Sequence, residues 1–133
     1  MTQTQKTCEQ RIDESLASRM EDIRRLFEEP EDAKTLEELG SLDEYGLSFD
    51  YVEPETFDDQ PDGFWSWQLS WGGPSDEFRF HDGDHRIEYR FHDWFDGAGR
   101  WLGGENKNLI TEIAEIYFGL SAYPIWRTDR KDK

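Results

Sequence analysis

The stretch FWSWQLSWGGPSDEFRFHDGDHRIEYRFHD, residues 64–93, decides the fold. Trp65, Trp67, Leu69 and Trp71 alternate with Ser66, Gln68 and Ser70, a two-residue period that gives a strand one apolar face. Gly72, Gly73 and Pro74 then close the strand. Phe78 and Phe80, followed by Ile87, Tyr89 and Phe91, flank the turn-rich HDGD, so residues 77–92 read as a β-hairpin. Its other face carries Glu77, Arg79, Arg86, Glu88 and Arg90, which can pair across strands. Rings that share a face with Leu69 have the pattern of a core rather than of a sugar-stacking platform.

Upstream, Leu47, Phe49 and Tyr51 alternate with Ser48, Asp50 and Val52, which predicts a further strand. The intervening EPETFDDQPDG, residues 53–63, has the prolines, glycine and acids of an exposed loop. Between Glu9 and Glu29, Ile12, Leu16, Met20, Ile23, Leu26 and Phe27 recur at intervals of three and four, the stripe of an amphipathic helix that Pro30 ends. Thr35, with Glu38 three residues on, predicts a capped short helix through Leu36 and Leu39 that stops at Gly40; Ser41 offers a further cap before Leu42 and Tyr45. Leu109, Ile113, Ile116, Tyr117 and Leu120 predict a last helix, capped by Asn106 or Asn108.

The order predicts an α+β fold: an antiparallel β-meander of about four strands with an N-terminal helix, short acidic helical turns and a C-terminal helix packed on one face. A chain of 133 residues suits a single domain, 1–133, and 20 large aromatic residues supply apolar area for a core. The polar ends, 1–8 and 127–133, read as flexible termini. Trp94, Phe95 and Trp101 either cover the sheet edge or form an exposed anchor, with the core the favoured reading.

The formal charge is −16, and it is segregated. From Glu28 to Asp62 there are fourteen acids against Lys34 alone, a net −13, while the rest of the chain carries −3. Many of the acids stand in doublets: Glu28 and Glu29, Glu31 and Asp32, Glu37 and Glu38, Asp43 and Glu44, Asp58 and Asp59, with Asp62 close by. Written as one helix, residues 28–44 would carry a net charge every ~3.6 Å. The phosphates of one DNA strand are spaced by ~3.4 Å, although Pro30 and Gly40 break the rod. Such crowding opposes folding by self-repulsion, and compensating cations at helical spacing are few here, in contrast to Glu21 with Arg24 and Arg25.

An acidic face can serve solubility alone, and salt adaptation spreads acids everywhere, which is not the distribution here. Segregation predicts a basic partner and excludes nucleic acid and anionic membrane as direct ligands. No apolar run approaches a membrane span, and the single Cys8 suits a reducing, cytoplasmic location and offers no thiolate cluster. His81, His85 and His92, near Asp82, Asp84, Asp93 and Asp96, lack the ligand spacing of known metal motifs, so turn and surface roles are the favoured reading; His81 and His92 are candidates for cross-strand neighbours. With no nucleophile motif and no phosphate-binding loop, no catalytic residue, cofactor or metal is assigned.

At LSWGGPSDEFRF followed by HRIEYRFHDWFDGA the chain resembles a mostly uncharacterised group of small acidic proteins of bacterial plasmids and conjugative elements, over approximately residues 46–98. The HDGD loop is shorter than is usual in that group, and the resemblance carries no catalytic residues with it. Mobile elements also carry small acidic inhibitors of restriction enzymes and CRISPR effectors, several of which imitate DNA; the chain is similar to these in size and charge.

The expectation is therefore a non-enzymatic DNA mimic that occupies a basic nucleic-acid-binding defence protein. Its partner-binding residues are Glu28, Glu29, Glu31, Asp32, Glu37, Glu38, Asp43, Glu44, Asp58, Asp59 and Asp62. The alternative is an interaction or plasmid-maintenance module using an aromatic surface around Trp94 and Trp101.

Overall fold

The computed structural model describes residues 7–42, 45–58, 60, 62–72, 74–81, 86–93, 96–121 and 127–128. The first helix, α1 (Cys8–Glu28), starts where Thr7 and Gln10 satisfy each other's backbone N–H groups in a capping box. Its buried stripe is Cys8, Ile12, Met20, Ile23 and Leu26, so Cys8 belongs to the folded body rather than to a loose end. A short helix, α2 (Ala33–Leu39), follows. Its cap is Asp32, which accepts from the Thr35 N–H at 3.0 Å; Thr35, expected as the cap, is a buried helical residue, because the acid three positions upstream reaches the free N–H groups first. Gly40, at φ 81°, ends α2.

Five strands form one antiparallel meander in sequence order: β1 (Ser48–Val52), β2 (Phe64–Ser70), β3 (Ser75–His81), β4 (Ile87–Asp93) and β5 (Asp96–Trp101). The fifth escapes the periodicity argument because its sequence, DGAGRW, buries only Ala98 and so shows no apolar alternation. α3 (Gly104–Tyr117) begins at Gly103, not at an asparagine cap, and Ile116 and Tyr117 point outward. Leu120 is buried in β6 (Leu120–Ser121), which pairs with β7 (Arg127–Thr128). Strand pairing thus reaches into the stretch expected to be loose.

The register aligns Phe49, Trp67, Phe78 and Tyr89 across β1 to β4, and Trp65, Phe80 and Ile87 in the next row. These rows form the inner face, against which α1 and α3 pack; Phe118, just after α3, stacks on Phe49 at 4.1 Å. On this face Asp76 is a buried carboxylate held by Arg19 through bonds of 2.7 and 2.9 Å, by the Tyr89 hydroxyl at 2.6 Å and by the Ser70 hydroxyl at 2.6 Å. Burial, with Asp76 beside it, pushes the Tyr89 phenol up; burial also pushes the neighbouring Tyr45 up to about 12.

One expectation fails for a clear geometric reason. The β2–β3 register slips between Gln68 and Ser70, so Ser70 turns to the inner face and bonds Asp76. A one-residue bulge reverses the alternation beyond it. Trp71, expected beside Trp67 in the core, is therefore 69% exposed and borders the opposite face. Leu36 and Leu47 are exposed as well.

Candidate functional site

The acids expected to bind a partner separate into two groups around the edge strand β1. Glu28, Glu29, Glu31, Asp32, Glu37 and Glu38 are all exposed at the α1–α2 corner, upstream of β1. Asp58 and Asp62 lie in the β1–β2 connection, downstream of it. Asp43, Glu44 and Asp59 lie outside the described residues.

The corner is not uniformly bare. Glu28 pairs with Arg24 at 3.5 Å and Glu38 with Arg25 at 3.0 Å, while Arg25 also reaches the Thr35 hydroxyl. Sequence spacing pointed these arginines toward Glu21; Arg24 instead meets Glu28 one turn further along α1, and Arg25 meets Glu38 because α2 doubles back on α1. Asp32 is occupied as a helix cap, and the bonds from Thr35 hold its carboxyl below the usual carboxylate range. Glu29, Glu31 and Glu37, with Glu53, Glu55, Asp58 and Asp62 in the loop, make no ion pair with any described residue.

The second feature is the outer face of the sheet. Every helix lies on the inner side among the described residues, and the outer face curves around a concavity of about 960 Å³. Its floor is polar yet buried. Ser66, Gln68 and Glu77 are each 8% exposed. Glu77 accepts from the Ser66 hydroxyl and from Arg79 at 2.9 Å, and Gln68 donates to the Ser70 carbonyl at 2.8 Å and the Asp76 carbonyl at 3.1 Å.

Next to these, Glu88 accepts from His81 at 3.0 Å and from Arg90 at 3.2 Å. Glu77 stands opposite Arg90 and Arg79 opposite Glu88, a checkerboard, although the close ion pairs run along each strand rather than across. Burial pushes the Glu88 carboxyl up, but the bonds from His81 and Arg90 outweigh it and hold it below its ordinary value. Burial, then the Arg90 and Arg79 charges, depress His92 and favour its neutral form. The Arg90 Nε is buried and has no partner among the described residues.

Glycine makes room for this layer. A Cβ at Gly99 would strike the Glu88 carboxylate, and one at Gly97 would lie 2.6 Å from His92 Nδ1, so the β4 side chains lie flat across β5. Around the rim, Phe57 is 54% and Trp101 52% exposed, together with Trp71. Trp101 thus departs from the core placement favoured by sequence, and Trp94 and Phe95 lie outside the described residues. Arg86 stacks over Trp101 at 4.2 Å, and Arg79 over Phe64 at 4.3 Å. The carboxylates of Asp50, Asp58 and Asp62 also border the concavity.

His92 pairs with Ser75 in the register and is not a cross-strand neighbour of His81. His85, Asp82 and Asp84 lie outside the described residues, and among those described no three His, Cys, Asp or Glu residues converge as a metal site. No helix among them is long and apolar enough to cross a membrane. The sequence did place Glu77, Arg79, Glu88 and Arg90 on one face. Of the aromatic rim it offered Trp101 as the less favoured, exposed alternative and missed Trp71 and Phe57. No family model, no curated protein and no solved structure matches the chain.

Proposed function

We propose that this is a non-catalytic, DNA-mimicking protein that binds and inhibits a basic nucleic-acid-binding defence protein, a CRISPR effector or a restriction enzyme. The observation behind this reading is the set of exposed carboxylates in the segments next to β1, Glu29, Glu31 and Glu37 before it in the chain and Glu53, Glu55, Asp58 and Asp62 after it. None has an ion pair among the described residues, on a chain of net charge −16. Exposed, unpaired carboxylates need no desolvation of internal ion pairs before meeting lysines and arginines, and their field accelerates the encounter. A groove built for phosphates exchanges one polyanion for another.

The test is capture of the partner from a bacterial host that carries such elements, followed by competition with duplex DNA. Binding should weaken steeply as salt rises and should be mutually exclusive with DNA. Glu29→Gln, Glu31→Gln and Glu37→Gln combined should weaken inhibition while the fold persists; undiminished inhibition would sink the reading. A second reading, an interaction or plasmid-maintenance module using the aromatic surface around Trp94 and Trp101, draws on the exposure of Trp101. It predicts weak salt dependence and strong sensitivity to loss of the ring.

A further inference from the structure

We infer that the concave outer face of the sheet is where the basic partner inserts arginine side chains, with Trp71 as the principal anchor. The inference rests on the basic-partner reading above and adds the surface and the side-chain chemistry. Three observations carry it.

The first is charge. The floor pairs Glu77 with Arg79 and Glu88 with Arg90 and so neutralises itself, leaving Asp50, Asp58 and Asp62 at the rim against Arg86. The lining is net negative, inside a chain of −16, and a concave wall focuses that field on a cation.

The second is the rings. The face already holds guanidinium groups of the protein itself over aromatic rings, Arg86 over Trp101 and Arg79 over Phe64, with the Glu77 carboxylate 2.9 Å from Arg79. A planar cation with forked donors suits such ring-and-carboxylate niches better than a compact, strongly hydrated ammonium. Trp71 is the ring still vacant: 69% exposed, with no ring or cation contact among the described residues.

The third is preorganisation. Glycines at 97 and 99 let His92 and Glu88 lie flat, and the floor side chains hold one another through hydrogen bonds, so the floor loses little side-chain freedom on docking.

The experiment uses the full chain and two fluorescein-labelled decapeptides of alternating serine, carrying five arginines or five lysines, with affinity read by anisotropy at physiological salt. The unmodified protein should bind the arginine peptide about tenfold more tightly than the lysine peptide. Trp71→Ala should lower arginine-peptide affinity about tenfold and abolish the preference. Trp71 is largely solvent-exposed, so the fold should survive its loss; Trp101→Ala gives a second reading of the same face. The combined Glu29→Gln, Glu31→Gln and Glu37→Gln variant should weaken both peptides alike and keep the ratio.

Equal affinities for the two peptides, or a Trp71→Ala variant that binds as the parent does, would overturn the inference. If the lysine peptide binds as well as the arginine peptide and the glutamate variant weakens both, the basic-partner reading stands and only the ring-anchored face falls. If neither peptide binds, both fall. A dimer that Trp71→Ala dissociates in sedimentation would assign the face to a second copy instead, and quenching of tryptophan fluorescence by a neutral oligosaccharide would assign it to sugar.

Discussion

Replacing Arg19 by Ala should be one of the most damaging single changes in this protein. Arg19 lies on α1 and grips the Asp76 carboxylate through two bonds of 2.7 and 2.9 Å. The Asp76 side chain is only 3% exposed and that of Arg19 25%. After the substitution the carboxylate keeps the Tyr89 and Ser70 hydroxyls but loses its counter-charge in a place that water barely reaches. Breaking a buried pair from one side costs about 3–5 kcal/mol. With an unfolding entropy of roughly 2.1 cal/mol/K per residue, that loss lowers the Tm by roughly 10–18 °C for a chain of this length.

Asp76→Asn removes the stranded charge, so Arg19→Ala with Asp76→Asn should be at least about 1 kcal/mol more stable than Arg19→Ala alone. Urea titration followed by tryptophan fluorescence measures all four corners of the cycle. A loss below about 1 kcal/mol for Arg19→Ala, or a double variant less stable than that single one, would show that the pair does not hold α1 to the sheet as described. Because Arg19 sits on the inner face, the folded fraction should keep its preference for the arginine peptide.

The same titrations test the outer face. Folded His92 takes its proton at lower pH than the unfolded chain, whose ordinary value is 6.5, so its contribution is complete above that pH and is lost as pH falls toward the folded value. Glu88, also held below its ordinary 4.5, adds a second loss in more acid solution. Relief of the −16 self-repulsion acts in the opposite direction, so the quantity to read is the difference between the parent and His92→Gln. That difference should shrink as pH falls below 6.5, and a constant difference contradicts the burial of His92 beside Arg90 and Arg79. Gly99→Ala should cost about 1 kcal/mol, because its Cβ displaces the Glu88 carboxylate from its bonds with His81 and Arg90, and should weaken the arginine preference. Unchanged Tm and unchanged preference would show that Glu88 is free to move away.

The α1 stripe, the alternation in β1 to β4 and the Gly40 stop were legible because each is a local pattern that one element satisfies by itself. DGAGRW was not legible: a strand that buries one alanine and lends its glycines to the side chains of β4 has a meaning that only its neighbour supplies. The carboxylate row was half legible. Its exposure follows from composition, and the Arg24–Glu28 pair from spacing along α1, but the fold-back of α2 gave Glu38 its arginine and left Glu29, Glu31 and Glu37 without an ion pair among the described residues.

By itself, the sequence determined the α+β class, the inner core and the uneven charge, because hydrophobic period and charge density are properties of a segment. Only the tertiary structure decided which face Trp71 borders, since a bulge shows in the pairing of β2 with β3 and not in either strand alone. It alone gathered Trp71, Phe57 and Trp101 around one concavity with a polar floor, because a curved sheet brings residues forty-four positions apart to a single rim.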